Sequence, residues 1–189
     1  LAGATLVSAP EEALMPGPDL QATLLRHGIG TVTLPPSILA ALAPAELPAL
    51  EALIVAGEPC PEELVQRWAP GRRFFNAYGP TETSICATMA ECAAGEGRPS
   101  IGRPIDNVEV YILDAARQPV PIGVAGELYV GGVGLARGYL NLPELSAERF
   151  IAHPFRPGER VYRTGDLCRY RASGEIDYLG RIDQQVKLR

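Results

Sequence analysis

Apolar and polar positions alternate along the first hundred residues with two different periods. DLQATLLRHG (19–28) carries apolar residues at helical spacing and ends in Gly28, where a helix C-terminus is expected. IGTVTLPP (29–36) is a short β-branched run stopped by Pro35 and Pro36. SILAALAP (37–44) reads as a helix and LEALIVAGE (50–58) as a buried strand. PEELVQRWA (61–69) reads as a helix with an acidic first turn, and RRFFNAY (72–78) as a third strand. Short apolar strands separated by helices predict a parallel, helix-covered sheet. Ligands of such sheets sit beyond the carboxyl ends of the strands. Here those ends are Thr33, then Ala56-Gly57-Glu58, then Asn76 to Glu82.

From about Val108 the texture changes. VEVYILD (108–114), GELYVGG (126–132), RVYRTGDL (160–167), CRYRASGEIDYLG (168–180) and IDQQVKL (182–188) are short strands separated by Gly, Asp, Pro and Ser turns. They predict a smaller, mostly antiparallel, barrel-like β unit. One helix, NLPELSAERFI (141–151), interrupts it, and AAGEGRPSIGRPI (93–105) is the expected connection. The expected division is therefore 1–104 for the α/β part, 105–182 for the β part, and 183–189 as the start of something further. Leu1 without a Met, and a C-terminus inside a strand-like alternation, are read as the cut ends of a longer chain.

Composition narrows the function classes. A hydrophobic content of 47% supports a core, and 21% charged residues is ordinary for a soluble protein. A net charge of −5 argues against a general nucleic-acid binder. No apolar run reaches the length of a membrane span and no signal peptide is visible, so a cytoplasmic location is expected. Cys60, Cys86, Cys92 and Cys168 show neither CxxC pairing nor metal-ligand spacing and read as reduced, mostly buried thiols. His27 and His153 lack partners at catalytic or metal spacing and read as surface or helix-end histidines.

The chemistry concentrates in three stretches. In YGPTE, Gly79-Pro80 forces a turn after a strand and leaves Thr81 and Glu82 at its mouth. A hydroxyl can bond a phosphate oxygen, and a carboxylate can hold Mg²⁺. Tyr78 offers a face for a base to stack on, and Asn76 a donor and an acceptor suited to the adenine edge. A capped turn with a surface Glu explains the same residues without a ligand. In YRTGDL (162–167), Asp166 follows a tight Thr-Gly turn and could take two adjacent hydroxyls, or simply stabilise its own turn. YLGR (178–181) adds a second aromatic, Tyr178, and a cation, Arg181. GGVGLARG (131–138) has the wrong spacing for a dinucleotide fingerprint and reads as a Gly-rich turn between strands.

Taken together, NAYGPTET, GELYVGGVGLARGYLNLPELSAERF, YRTGDL and GEIDYLGRIDQQVKLR stand in the order and spacing of the adenylate-forming superfamily. They most resemble amino-acid adenylation domains of nonribosomal peptide synthetases, across essentially the whole chain. Leu140 and Ser146 depart from the usual Trp and Thr. The resemblance implies a flavodoxin-like α/β part followed by the β part, both belonging to a larger core. It implies ATP and Mg²⁺ as ligands, with Asn76 on the adenine edge, Tyr78 and Tyr178 flanking the nucleotide, and Gly57 allowing close backbone approach. Thr81 would contact the α-phosphate, Glu82 the metal, Asp166 the ribose, and Arg181 the ribose-phosphate region; Thr81, Glu82 and Arg181 are thus the catalytic candidates. Asp183 would be the hinge of a C-terminal lid.

The positions matching the family's side-chain pocket are Thr33, Ile54, Ala56, Ala77, Ile85 and Cys86. They carry no charge, and the string resembles that of phenylalanine-activating domains, with tyrosine the close competitor. The implied reaction makes aminoacyl-AMP and then a thioester on the phosphopantetheine of a carrier domain. Condensation or epimerisation domains of the same assembly line would be further partners. The phosphate loop and lid lysine of the family are absent from these residues, so the piece alone is expected to be inactive and prone to aggregate. An acyl- or aryl-CoA ligase of the same superfamily and a non-catalytic degenerate module are the alternatives. A plain flavodoxin-like binding module leaves the motifs of the β part unexplained.

Overall fold

The computed structural model describes residues 3–43 and 47–182. The chain divides into two compact units: residues up to Phe75 together with Cys92–Arg98, and Asn76–Glu91 together with the residues from Pro99 onward. The expected boundary at 104/105 divides the chain differently, because residues 76–91 and 99–104 join the second unit.

In the first unit, a single 3₁₀ turn at Glu11–Leu14 precedes helix α1 (Pro18–Arg26). Pro18 opens α1, where its missing N–H costs nothing, and Leu20, Thr23 and Leu24 form its buried face. Strands β1 (Thr31–Leu34) and β2 (Ala52–Ala56) run parallel, with Thr33 paired to Ile54 and Leu34 to Val55. Helices α2 (Pro36–Ala41) and α3 (Glu62–Trp68) flank β2 in sequence. Strand β3 (Arg73–Tyr78) neighbours β2, and Phe74 on it is fully buried. Leu53, Val55, Leu39, Val65 and Trp68 pack with Phe74 into one core. Along β2 the burial alternates, so Leu53 and Val55 face that core while Ile54 and Ala56 occupy the less buried side. The predicted strand–helix order of this unit is thus present.

The second unit takes over at Asn76. Strand β4 (Thr88–Glu91) pairs antiparallel with β5 (Arg103–Pro104), two short strands that no periodicity announced. The sheet begun by β1 and β2 is therefore mixed rather than wholly parallel. A second sheet has β6 (Val108–Leu113), β7 (Gly126–Gly132), β9 (Arg160–Tyr170) and β10 (Ile176–Arg181) in the order β10-β9-β7-β6, all antiparallel. Helix α4 (Pro143–Arg149) leads into β8 (Phe150–Ala152), which pairs with β9. The edge strand β10 bonds back to the approach to β5, through Ile101 N–H to the Ile176 carbonyl at 2.8 Å and Ile176 N–H to the Gly102 carbonyl at 2.9 Å. That link curls the sheet toward the expected barrel-like form around Ile112, Leu128, Val130, Cys168 and Ile176. The Gly-rich stretch after β7 is a turn, as predicted, and not a crossover helix. Asp183, expected as a hinge, and the strand expected over 182–188 lie outside the described residues, apart from Ile182, which forms a bend.

Candidate functional site

Two irregularities in β9 and β10 create the centre of the site. Pairing between β7 and β9 jumps from Tyr129 opposite Arg163 to Glu127 opposite Leu167. One residue of β7, Leu128, therefore faces three of β9: Thr164, Gly165 and Asp166. The TGD stretch is a bulge inside one continuous strand, not the tight Thr-Gly turn expected from sequence. Bulges of this kind bend a strand and re-aim a side chain. Gly165 takes φ +74°, a value that a side chain would strain.

The Thr164 hydroxyl and groups on β7 hold the bulge. The Thr164 hydroxyl donates to the Leu128 carbonyl at 2.7 Å and accepts from the Asp166 N–H at 3.0 Å. The Glu127 carboxylate accepts from the Gly165 N–H at 3.1 Å and from Arg163 Nε at 3.0 Å. On the other side, β10 carries one extra residue, Leu179, which brings Arg181 opposite Asp166.

Four predicted residues meet there. The Tyr78 hydroxyl donates to Asp166 Oδ2 at 2.5 Å. Arg181 Nη1 donates to the Thr164 carbonyl at 2.9 Å and to Asp166 Oδ1 at 3.3 Å. Asp166 is 6% exposed, and these donors satisfy the carboxyl oxygens that burial takes from water. Burial first, and then the neighbouring Asp166 charge, push the Tyr78 phenol well above its usual range, which keeps it a donor. The same two causes push Tyr178 up to about 12. The rings of Tyr78 and Tyr178 lie 6.2 Å apart, tilted by 37°. A base inserted between them needs about 6.8 Å, twice the base-stacking rise, so in this conformation the two rings abut rather than leave a slot.

The turn that leads away from β3 is equally constrained. A Cβ on Gly79 would fall 2.5 Å from the Ile85 carbonyl oxygen and 2.6 Å from the Ala87 nitrogen, so only glycine fits. Thr81–Thr83 form one 3₁₀ turn, tied by Thr83 N–H and hydroxyl to the Pro80 carbonyl. Thr81 is exposed. Ser84 and Ile85 follow with φ +63° and +75°, and Cys86 N–H bonds the Ser84 carbonyl at 2.9 Å. That is the rare, strained form of γ-turn, and a β-branched residue at its centre is a genuine outlier. Ile85 is 77% exposed. Cys86 is half-buried, with its thiol directed at the Thr88 carbonyl and its pKa raised by burial.

Glu82 Oε1 accepts from the Tyr139 hydroxyl at 2.7 Å. Among the described residues Glu82 forms no ion pair, so it is a half-buried carboxylate held by a neutral donor, the Tyr139 phenol. Such a group suits one ligand position for a hard divalent cation. Asn76 is buried, and its amide nitrogen donates to the Ser100 carbonyl at 2.7 Å; Ala77 beside it is also buried. Within the first unit, Thr33, Ile54 and Ala56 share one side of the β1–β2 pair, and Gly57 follows β2 with φ +87°.

Sequence reasoning missed Glu127, Tyr139, Tyr162 and Ser100. Glu127 sits in an alternating strand pattern and resembles any solvent-facing acid, so no signal singled it out. His153 departs from the surface or helix-end position expected for it. It is buried, with Nδ1 accepting from the Phe155 N–H and Nε2 3.2 Å from the Tyr111 hydroxyl. Glu109, His153 and Glu159 bring possible metal-ligand atoms within 4.8 Å of one another. Arg156 already lies 2.5 Å from Glu109 and 3.6 Å from Glu159, which makes this an ion-pair cluster. An adjoining open groove of about 710 Å³, lined by Asn107, Glu109, Val133 and Arg160 among others, contains none of the predicted residues. No disulfide joins the four cysteines, and Cys168 is buried while Cys60, Cys86 and Cys92 are half-buried.

The chain is 60% identical to a linear gramicidin synthase of Brevibacillus parabrevis over 190 residues, covering 100% of this chain and 4% of that protein. It is 54% identical to bacitracin synthase 3 of Bacillus licheniformis over 188 residues, covering 100% of this chain and 3% of that one. The chain thus spans a small fraction of the curated relatives it matches. Among solved structures it resembles PA1221, an NRPS protein containing adenylation and PCP domains. That match has a TM-score of 0.83 and 31% identity, over 90% of this chain and 37% of the other. The model of the family described as AMP-binding enzyme matches residues 1–140, and the chain belongs to that family.

Proposed function

We propose that these residues form part of an amino-acid adenylation domain of a nonribosomal peptide synthetase. The reading rests on one observation above the others. Tyr78 and Asp166, 88 residues apart, are joined by a hydrogen bond and flanked by Tyr178 and Arg181, in a family whose members bind AMP. Asp166 takes the ribose hydroxyls, the tyrosine pair offers an aromatic face to the base, and Asn76 meets the adenine edge through its remaining amide groups. Gly57 lets backbone approach the nucleotide. Thr81 bonds the α-phosphate, and Arg181 neutralises the ribose-phosphate region. Asp183 serves as the hinge between half-reactions.

In the reaction, a carboxylate oxygen of the amino acid forms a bond to the α-phosphorus of ATP while the bond to the bridging oxygen breaks. Pyrophosphate leaves with that electron pair, and aminoacyl-AMP remains. The carboxylate is already ionised near neutral pH, so no general base is required. Catalysis is then positioning and charge neutralisation. Glu82 is the residue that would hold Mg²⁺, which neutralises phosphate charge when bound. A phosphopantetheine thiol of a carrier domain then displaces AMP to give the thioester, and condensation or epimerisation domains act next.

The substrate reading rests on the chemistry of Thr33, Ile54, Ala56, Ala77, Ile85 and Cys86. None is charged, so a charged side chain would be buried without a partner, at high cost. A bulky apolar side chain gains about 1.5–3 kcal/mol on burial, which favours phenylalanine. Amino-acid-dependent ATP–pyrophosphate exchange on the full-length protein tests all of this, with Phe, Tyr, Trp, Leu and a benzoate-type acid side by side. Exchange led by Phe is expected. A lead by Leu or Tyr would discard the phenylalanine assignment, the benzoate alone would move the protein to the CoA-ligase branch, and silence throughout would point to a degenerate module.

A further inference from the structure

Glu82 lies on a one-turn 3₁₀ segment with no regular structure on either side, yet its carboxylate is held from a distance. Tyr139, 57 residues further along the chain, donates its hydroxyl proton to Glu82 Oε1 at 2.7 Å. The Tyr162 hydroxyl lies 3.3 Å from the Tyr139 hydroxyl. A phenol has one proton. With that of Tyr139 on Glu82, the proton of Tyr162 points at the Tyr139 oxygen or at Glu82 itself, and both phenols face the same carboxylate.

The pair is rigidly seated. Tyr162 is buried on β9, and its ring packs 5.1 Å from Phe150, which in turn meets Tyr139 edge-on at 5.5 Å. The Tyr139 N–H donates to Ser146 Oγ on α4 at 2.8 Å. The backbone of the Glu82 turn is tied to the same stretch. Ala136 N–H donates to the Glu82 carbonyl at 2.8 Å, and the Ser84 hydroxyl donates to the Gly134 carbonyl at 2.8 Å. The stretch 134–139 therefore fixes both the main chain and the side chain of Glu82. It does so with neutral donors, which orient a carboxylate without cancelling its charge. A lysine or arginine in the same place would compete with a cation.

We infer that Tyr139, backed by Tyr162, is a positioning residue that fixes Glu82 Oε1 and leaves the carboxylate charge for a divalent cation on the nucleotide. This rests on the proposed role of Glu82 as the metal-holding residue. Partners that orient a metal-binding carboxylate typically change metal affinity 10–100-fold when removed.

The test uses the full-length protein and Mn²⁺ as the probe, followed by the electron paramagnetic resonance signal of free Mn²⁺ in the presence of ATP. ATP affinity in EDTA is measured beside it. Tyr139→Phe keeps the ring against Phe150 and loses the donor. It is expected to weaken Mn²⁺ binding about tenfold while ATP affinity in EDTA stays at the wild-type value. Tyr162→Phe is expected to weaken it about threefold, and the double variant less than the product of the two, because the phenols act in series. Wild-type Mn²⁺ affinity in both single variants, with Glu82→Gln clearly weakened, would overturn the inference and leave the role of Glu82 standing. Wild-type affinity in Glu82→Gln would overturn the reading of Glu82 itself.

Discussion

Replacing Glu127 with Ala should loosen the site without touching any residue proposed to contact the nucleotide. The Glu127 side chain is 12% exposed and accepts from the Gly165 N–H and from Arg163. The N–H of the buried Gly165 would lose a charge-assisted bond worth about 1.5–3 kcal/mol. Arg163 is 43% exposed, so water replaces most of that pairing, and at most about 1 kcal/mol follows from it. The expected local loss is about 2–3 kcal/mol, and about 1 kcal/mol for Glu127→Gln, whose amide oxygen still accepts. At tenfold per 1.4 kcal/mol, amide hydrogen exchange in a peptide covering 163–168 should accelerate about 30- to 150-fold in the alanine variant. With Asp166 no longer fixed, ATP affinity should fall about tenfold. Wild-type exchange rates across 163–168 in Glu127→Ala would refute the claim that this carboxylate holds the bulge.

Two further outcomes are expected. All seven tyrosines have pKa values raised above the usual phenol value of 10.0, with burial as the leading cause in each. Above about pH 10 the unfolded chain releases phenolic protons that the folded one keeps, so stability from these groups is full below pH 10 and falls as pH rises past it; absorbance at 295 nm should rise together with loss of the circular dichroism signal, and several phenols titrating near pH 10 with the fold intact would contradict this. Ile85→Asn should raise stability by about 1 kcal/mol, since Asn tolerates positive φ and an exposed isoleucine gives up little burial; the same variant should lower Phe-dependent exchange if Ile85 meets the substrate, and a destabilised variant with unchanged exchange would count against both statements.

Local features were the legible part of this protein. The 3.6- and 2-residue periods located α1 to α4 and the main strands, because a single amphipathic face leaves its mark within a few neighbouring residues. The Gly79-Pro80 break, the Thr81-Glu82 pair and the change of texture near Val108 were visible for the same reason. Strands β4, β5 and β8 are two to four residues long and offered too few positions for a period to emerge.

Long-range pairing decided the rest. YRTGDL reads as a short strand broken by a tight Thr-Gly turn, yet it lies inside one eleven-residue strand, β9, because Glu127 and Leu128 on β7 bond Gly165 and Thr164 across the bulge. Nothing within ten residues of Glu82 announces Tyr139 or Tyr162, and nothing near His153 announces Tyr111. The sequence by itself determined which residues could carry nucleotide chemistry, since donors, carboxylates and aromatic faces are properties of residue type. Only the tertiary structure decided which of them are held, and by what. A buried carboxylate is tolerable only beside the partners that satisfy it, and in this chain those partners arrive from strands and turns far along the sequence.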